Sequence, residues 1–273
     1  MKKWKFQKYK ENKVLYFKIP SFDESGLVKH CFTTRMGGVS RPPYNSMNLG
    51  IKTFDNKSNI LTNYEIICKT LEIDINNLVV SDQVHKDKIL LVDEEHKGNG
   101  ILYDSKFSEI DALITDKPNI SLVTLYADCV PIFILDKKRK IIALAHGGWR
   151  GTVKKIAGKV IKRMICDFNT DPRDCIIGIG PSIGKCCYEV DDYVIDIFKS
   201  NYENADEFFE DKGNGKYFLD LWNLNKKSLV EVGVPSQNIT ISNICTKCNN
   251  DIFFSYRAGN GQTGRMAAIL QLI

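Results

Sequence analysis

Short apolar runs separated by polar turns dominate the chain. Residues 14–19, 29–33, 78–80, 88–92, 112–115, 122–126, 132–135, 141–145, 176–179, 239–241 and 252–255 are rich in Ile, Val, Leu and Phe and read as strands. Four segments carry helical spacing instead. Residues 59–71 place Ile60, Leu61, Tyr64, Ile67 and Leu71 at helical spacing. Residues 152–168 are predicted as one helix capped by Thr152, with Val153, Ile156, Val160, Ile161, Met164 and Phe168 in line. Residues 191–201 and 219–232 complete the set, the last ending at Gly233 with Pro235 beyond it.

Strands outnumber helices and do not alternate with them in βαβ fashion. The pattern predicts an α+β class, a layered sandwich of mixed sheets flanked by helices, rather than a doubly wound nucleotide-binding sheet. No P-loop occurs. No Pro/Gly/Ser-rich linker or repeat interrupts the pattern, so residues 1–273 are expected to form a single domain.

Composition narrows the class. Hydrophobic residues make up 43% and charged residues 26%, as in ordinary soluble proteins. The net charge of +5 is spread out, with a local excess at Lys2, Lys3, Lys5, Lys8, Lys10 and Lys13. No nucleic-acid motif accompanies it, so a solvated basic face is expected and nucleic acid is not an expected partner. The N-terminal segment lacks the apolar stretch of a signal peptide, and no run reaches the roughly 18 uncharged apolar residues of a membrane helix. A cytoplasmic protein is expected. Its nine Cys should then be mostly reduced.

The chemistry concentrates at strand ends. His85 follows the run at 78–80, Cys129 follows the run at 122–126, and His146 ends the run at 141–145. Two imidazoles and one thiolate are a common three-ligand zinc set, and a fourth position left open makes such a site catalytic. The three fit no local zinc-finger spacing, so the fold must assemble them. Asp128, a carboxylate at the end of a core strand, needs a partner and is expected to orient a ligand His or hold a substrate hydroxyl. Gln83 shares a face with His85 if the strand continues. Arg150, in the Gly-rich loop before Thr152, and Arg35 are candidates for an anion, helped by loop amides at the helix start. Asn48 lies in a second loop, 44–50, with the look of a binding segment. Arg257 and Arg265 add two cations near the C-terminus. Cys186, Cys187, Cys245 and Cys248 are read first as unpaired thiols, with a second metal site or a disulfide well behind, because adjacent Cys are poor partners for one ion.

With these segments in place, the chain resembles the laccase-domain or YfiH-like proteins across nearly its whole length. The resemblance rests on TTRMGGVS (33–40), YNSMNLG (44–50), DQVH (82–85), IDALIT (110–115), ADCVPI (127–132), AHGGWRGT (145–152), GIGPSIGKCCYEV (178–190), FFSYR (253–257) and TGR (263–265). Tyr126 stands where the family usually has Thr, and Gly147 where it has Ala; neither change removes a ligand. The resemblance implies metal ligation by His85, Cys129 and His146. It implies phosphorolysis of adenosine, inosine, guanosine and S-methyl-5'-thioadenosine, with adenosine deamination besides. Purine nucleosides and phosphate are thus the expected partners, in a monomer or homodimer.

Copper belongs to the older polyphenol oxidase annotation of the family. Four His are too few for a multicopper cluster, so zinc is the expected metal. Two other classes remain as rivals: a cysteine hydrolase with Cys129 as nucleophile and His146 or His85 as base, and a non-catalytic binding protein.

Overall fold

The computed structural model describes residues 5–273. Lys2 and Lys3 of the basic N-terminal excess lie outside them. Two six-stranded sheets stack face to face. The first has the order β1 (Gln7–Glu11), β2 (Val14–Lys18), β3 (Val28–Thr33), β15 (Met266–Leu272), β7 (Ser121–Tyr126), β4 (Leu78–Val80). The second has the order β14 (Ile239–Ile241), β10 (Cys175–Ile179), β8 (Val130–Asp136), β9 (Ile141–Gly147), β6 (Ala112–Thr115), β5 (Ile89–Leu91). Pairing is antiparallel except for the parallel pairs β4–β7, β5–β6 and β10–β14. A small antiparallel sheet of β11 (Glu189–Asp191), β13 (Lys216–Leu219) and β12 (Phe209–Gly213) lies beside them. This is the layered α+β class expected.

The helices are α1 (Pro20–Ser25), α2 (Lys57–Leu71), α3 (Trp149–Val153), α4 (Ile156–Phe168), α5 (Asp192–Asn201) and α6 (Leu221–Val230). Three apolar layers follow from them. Ile60, Tyr64 and Ile67 of α2 cover the outer face of the first sheet. Phe17, Phe32, Leu122, Leu270, Phe133, Leu144 and their neighbours fill the space between the sheets. Ile156, Val160, Ile161 and Met164 of α4, with Leu224 and Leu229 of α6, cover the second sheet. Each such buried aliphatic side chain stabilises the fold by about 1.5–3 kcal/mol. Gly158 lets α4 approach α6: a Cβ there would stand 2.8 Å from the Ser228 carbonyl oxygen. None of the described helices is long and apolar enough to cross a membrane.

Several expectations need correction. The single helix at 152–168 is two helices, broken where Lys155 adopts φ 56°. Thr152 caps neither; its hydroxyl is buried and accepts from Asn225 Nδ2 at 2.9 Å, while its carbonyl accepts from the Tyr202 hydroxyl at 2.6 Å. The break leaves Trp149 and Arg150 at the end of the sandwich while α4 lies flat on the sheet. The run at 252–255 is a turn, not a strand; Phe253 and Phe254 are apolar because they plug the space between the sheets. Conversely, β15 was not anticipated, although it sits between β3 and β7 with every residue buried.

Candidate functional site

The chain crosses between the two large sheets twice at the same end of the sandwich. β4 in the first sheet leads through His85 to β5 in the second, and β7 leads through Ala127-Asp128-Cys129 to β8. β4 and β7 run parallel, so both crossings start side by side. In the second sheet β8 pairs with β9 so that Val130 faces Gly147 and Pro131 faces His146. That register places Cys129 beside His146. The ligand-capable atoms of His85, Cys129 and His146 lie within 4.8 Å of one another. The two imidazole rings meet edge to face with centroids 4.8 Å apart.

The carboxylate that organises this group is Asp111, at the start of β6 and fully buried. It accepts from the backbone N–H groups of Val84 (3.2 Å), His85 (3.0 Å) and Lys86 (2.8 Å), which pins the loop carrying His85 at φ 62°. Its Oδ1 also lies 2.7 Å from His146 Nδ1. His146 donates there, so its Nε2 is left to the centre as a lone-pair donor. Burial alone would raise the Asp111 carboxyl; the His146 hydrogen bond and charge, with the loop amides, outweigh it and hold the carboxyl below its ordinary range.

Without a metal, burial would raise the Cys129 thiol, but the charge and hydrogen bonds of His146 and His85 bring it down to about 6. Burial would lower His146, but Cys129 and Asp111 raise it to about 9. Without a metal, Cys129 and His146 are therefore a thiolate beside an imidazolium; a cation that displaces the His146 Nε2 proton meets one thiolate and two imidazoles. Gly148 faces the same point: a Cβ there would stand 3.0 Å from His85 Cδ2 and 3.2 Å from Cys129 Sγ. The absence of a side chain keeps one side of the group open. A soft-to-borderline cation such as zinc fits this set, with room for a fourth ligand.

The group forms the floor of a cavity of about 550 Å³, within the range of ordinary ligand pockets. Ile51, Leu125, Trp149, Ile183, Tyr188, Leu221 and Tyr256 give it apolar walls, and Lys52, Arg150, Arg257 and Arg265 give it positive charge. Among the described residues, Asp128 is the one carboxylate lining it.

A family model described as multi-copper polyphenol oxidoreductase laccase matches residues 29–273. The chain belongs to this family. The purine nucleoside phosphorylase YlmD of Bacillus subtilis is 34% identical over 88% of the chain and 86% of its own length. The YlmD enzyme of Geobacillus stearothermophilus, also named a purine nucleoside phosphorylase, is 35% identical over 87% and 88%. Among solved structures, the hypothetical protein YfiH of Bacillus licheniformis superposes with a TM-score of 0.93 at 35% identity, covering 98% of this chain and 99% of that one. YlmD of Geobacillus stearothermophilus superposes with a TM-score of 0.91 at 32% identity, covering 99% of both.

In this laccase-like family member the remaining candidate residues divide into those at the cavity and those away from it. Gln83 lines the cavity, yet its amide is clasped to one peptide unit: Nε2 donates to the Leu125 carbonyl (2.9 Å) and Oε1 accepts from the Leu125 N–H (2.7 Å). It joins the His85 loop to β7. Asp128 contacts neither imidazole. Its carboxylate accepts from Thr246 Oγ1 (2.6 Å), Ser255 Oγ (2.9 Å) and the Arg257 N–H (2.8 Å). These three donors hold the turn in which Asp128 adopts φ 84° and delivers Cys129; the expected hydrogen bond to a ligand His is not made.

Arg35 is not among the cavity residues. Its guanidinium donates to the Asn45 carbonyl, Asn45 Oδ1 and the Asn250 carbonyl, and stacks on Phe254 at 4.9 Å. Asn48 is buried below the rim; it donates to Thr53 and Asp55 and accepts from the backbone of Gly50 and Arg265. It shapes the rim rather than touching the cavity. Arg150 does face the cavity, stacked on Trp149 at 4.3 Å and without an ion pair among the described residues.

The expected helix-start anion site reduces to a five-residue helix, and the loop glycine serves the ligand group instead. The other two His take no part. His30 accepts from the Ile19 N–H in the core, and His96 caps a short turn with Asp93. That placement leaves no second imidazole cluster for a multicopper centre.

Proposed function

We propose that the chain is a zinc-dependent purine nucleoside phosphorylase of the cytoplasm. Its substrates in this reading are adenosine, inosine, guanosine and S-methyl-5'-thioadenosine, with deamination of adenosine as a second activity. One observation carries the reading: two imidazoles and a thiolate converge on the floor of a nucleoside-sized cavity whose walls are apolar and whose free charges are cationic.

In phosphorolysis, phosphate attacks the ribose anomeric carbon, the glycosidic bond breaks, and the purine leaves with the bonding electron pair. In this reading Leu125, Tyr188 and Tyr256 receive the flat base, and the arginines that line the same cavity, Arg150, Arg257 and Arg265, attract phosphate. Zinc, when held by His85, Cys129 and His146, supplies Lewis-acid polarisation at the floor. Asp111 keeps the His146 Nδ1 proton in place, so that the ring offers the same nitrogen to the centre throughout. The names of the relatives from Bacillus subtilis and Geobacillus stearothermophilus support phosphorolysis.

The test combines metal analysis with a nucleoside panel, each substrate assayed with and without phosphate. Free base and ribose 1-phosphate (5-methylthioribose 1-phosphate from S-methyl-5'-thioadenosine) should appear only with phosphate, inosine should form from adenosine without it, and both activities should stop on chelation and return with zinc. Cys129 should resist iodoacetamide in the zinc-loaded protein and react after chelation. Turnover by zinc-free protein, abolished by alkylation at Cys129, would replace this reading with a thiol nucleophile.

A further inference from the structure

A second group of metal-ligating side chains lies apart from the His85–Cys129–His146 centre. Cys186 and Cys187 occupy the turn between β10 and β11, where the N–H groups of Cys187 and Tyr188 both donate to the Gly184 carbonyl. Cys245 and Cys248 occupy a second turn after β14, closed by Asn249, whose N–H and side-chain amide both donate to the Cys245 carbonyl. The two turns are laced together: Ser182 donates to the Ile244 carbonyl and Thr246 donates to the Ser182 carbonyl. Four thiols from two distant segments thereby meet, with all four sulfur atoms within 4.8 Å of one another.

The spacing decides between the available chemistries. Cys248 Sγ lies 3.6 Å from Cys186 Sγ and 3.4 Å from Cys187 Sγ. A disulfide needs sulfurs about 2.05 Å apart, and one bond from Cys248 to either neighbour would strand the other two thiols against it. A tetrahedral zinc with Zn–S bonds of about 2.3 Å has sulfur–sulfur edges of about 3.8 Å, close to what is observed. Four thiols in contact satisfy one another poorly, since S–H is a weak donor and S a weak acceptor. One cation satisfies all four. The Gly184 N–H points at Cys245 Sγ at 3.3 Å, the kind of backbone N–H···S contact that stabilises a bound thiolate. Lys185 and Lys247, next in sequence to the ligands, bring positive charge to a tetrathiolate that is dianionic with zinc bound.

We propose that Cys186, Cys187, Cys245 and Cys248 form a structural zinc site that fastens one wall of the cavity. Binding displaces the thiol protons to solvent and leaves no open coordination position. The two turns it ties carry Ile183 and Tyr188, which line the cavity, and Thr246, which donates to Asp128. Ile183 also donates its N–H to the Asp128 carbonyl at 2.9 Å. The tetrathiolate therefore braces the residue before Cys129. The adjacency of Cys186 and Cys187 is accommodated because the turn aims both thiols at Cys248.

Elemental analysis and zinc K-edge absorption test this on the intact protein. The wild type, prepared under reducing conditions without chelator, should hold about two zinc ions per chain, and Cys129→Ala should hold about one, ligated by sulfur alone. Cys245→Ser/Cys248→Ser should lose that same equivalent and melt at a lower temperature. Should that variant fail to fold, the Cys129→Ala spectrum stands on its own. Zinc-free Cys129→Ala, nitrogen in its zinc shell, iron in place of zinc, or a Cys187–Cys248 disulfide in the reduced preparation would each overturn the proposal. A wild type with one all-sulfur zinc would uphold it while removing the zinc at His85, Cys129 and His146.

Discussion

Asp111 and His146 face each other across paired strands, Oδ1 2.7 Å from Nδ1, and both are shut away from solvent. The same carboxylate fixes the backbone on either side of His85. One side chain thus sets the direction of one ligand and the position of another. Asp111→Asn keeps the shape but loses the charge and places an amide against the loop N–H groups. Zinc affinity, measured by competition with a chromogenic chelator, should fall about 10–100-fold. Asp111→Ala should in addition cost about 3–5 kcal/mol in denaturant unfolding, because buried donors lose their acceptor.

Gly148→Ala separates metal binding from folding. Its new methyl group would stand 3.0 Å from the His85 ring and 3.2 Å from Cys129 Sγ, while the sheets beneath are untouched. Zinc at this centre should drop well below one equivalent, with circular dichroism and melting temperature close to wild type. Full occupancy in this variant would show that the ligands do not need the open side.

Two arginines read alike from the sequence should behave differently. Arg150→Lys keeps a charge at the cavity but loses the planar fork, so the KM for phosphate should rise several-fold with little change in stability. Arg35→Lys should leave the phosphate KM alone and lower the melting temperature, since three donors and a stack on Phe254 are lost. Steady-state kinetics with varied phosphate, beside thermal melts, check both; equal effects on KM would contradict the placement of Arg35.

Acid should destabilise the fold through His30. Burial lowers this imidazole to about 4, and its Nε2 accepts the Ile19 N–H. The unfolded chain, with a pKa near 6.5, then binds the proton more readily than the folded one, so stability is complete above about 6.5 and declines as pH falls toward about 4. The loss from this group is on the order of 3 kcal/mol. Urea unfolding from pH 7.5 to 4.5 should show it, and His30→Gln should flatten that part of the profile.

The convergence of His85, Cys129 and His146 was legible because each stands where an apolar run stops, and a polar residue at the end of a buried strand needs a reason. Asp111 was not, because the contact that gives it meaning is made by strand pairing with a residue far along the chain. Asp128 was singled out for the right property, a buried carboxylate, but its partners Thr246, Ser255 and Arg257 lie more than a hundred residues away. The sequence MAAILQL of β15 suits helix or strand alike, and only its two neighbours decide. β1 and β12 were missed for the opposite reason: they are exposed and charged, with little apolar content to report. The four clustered Cys were weighed together but read first as unpaired thiols, because nothing local announces that two turns will be laced together.

The crossing at Ala127-Asp128-Cys129 gives the centre a sensitivity that no ligand has alone. Cys129 enters from the first sheet, His146 belongs to the second, and His85 hangs on the link between them. Coordination thus reads out how the two sheets are seated on each other. A core substitution that slides one sheet over the other, even far from the cavity, would pull the three donors out of step. Occupancy of the centre is in that sense a gauge of sandwich alignment, and it should fail before the fold does.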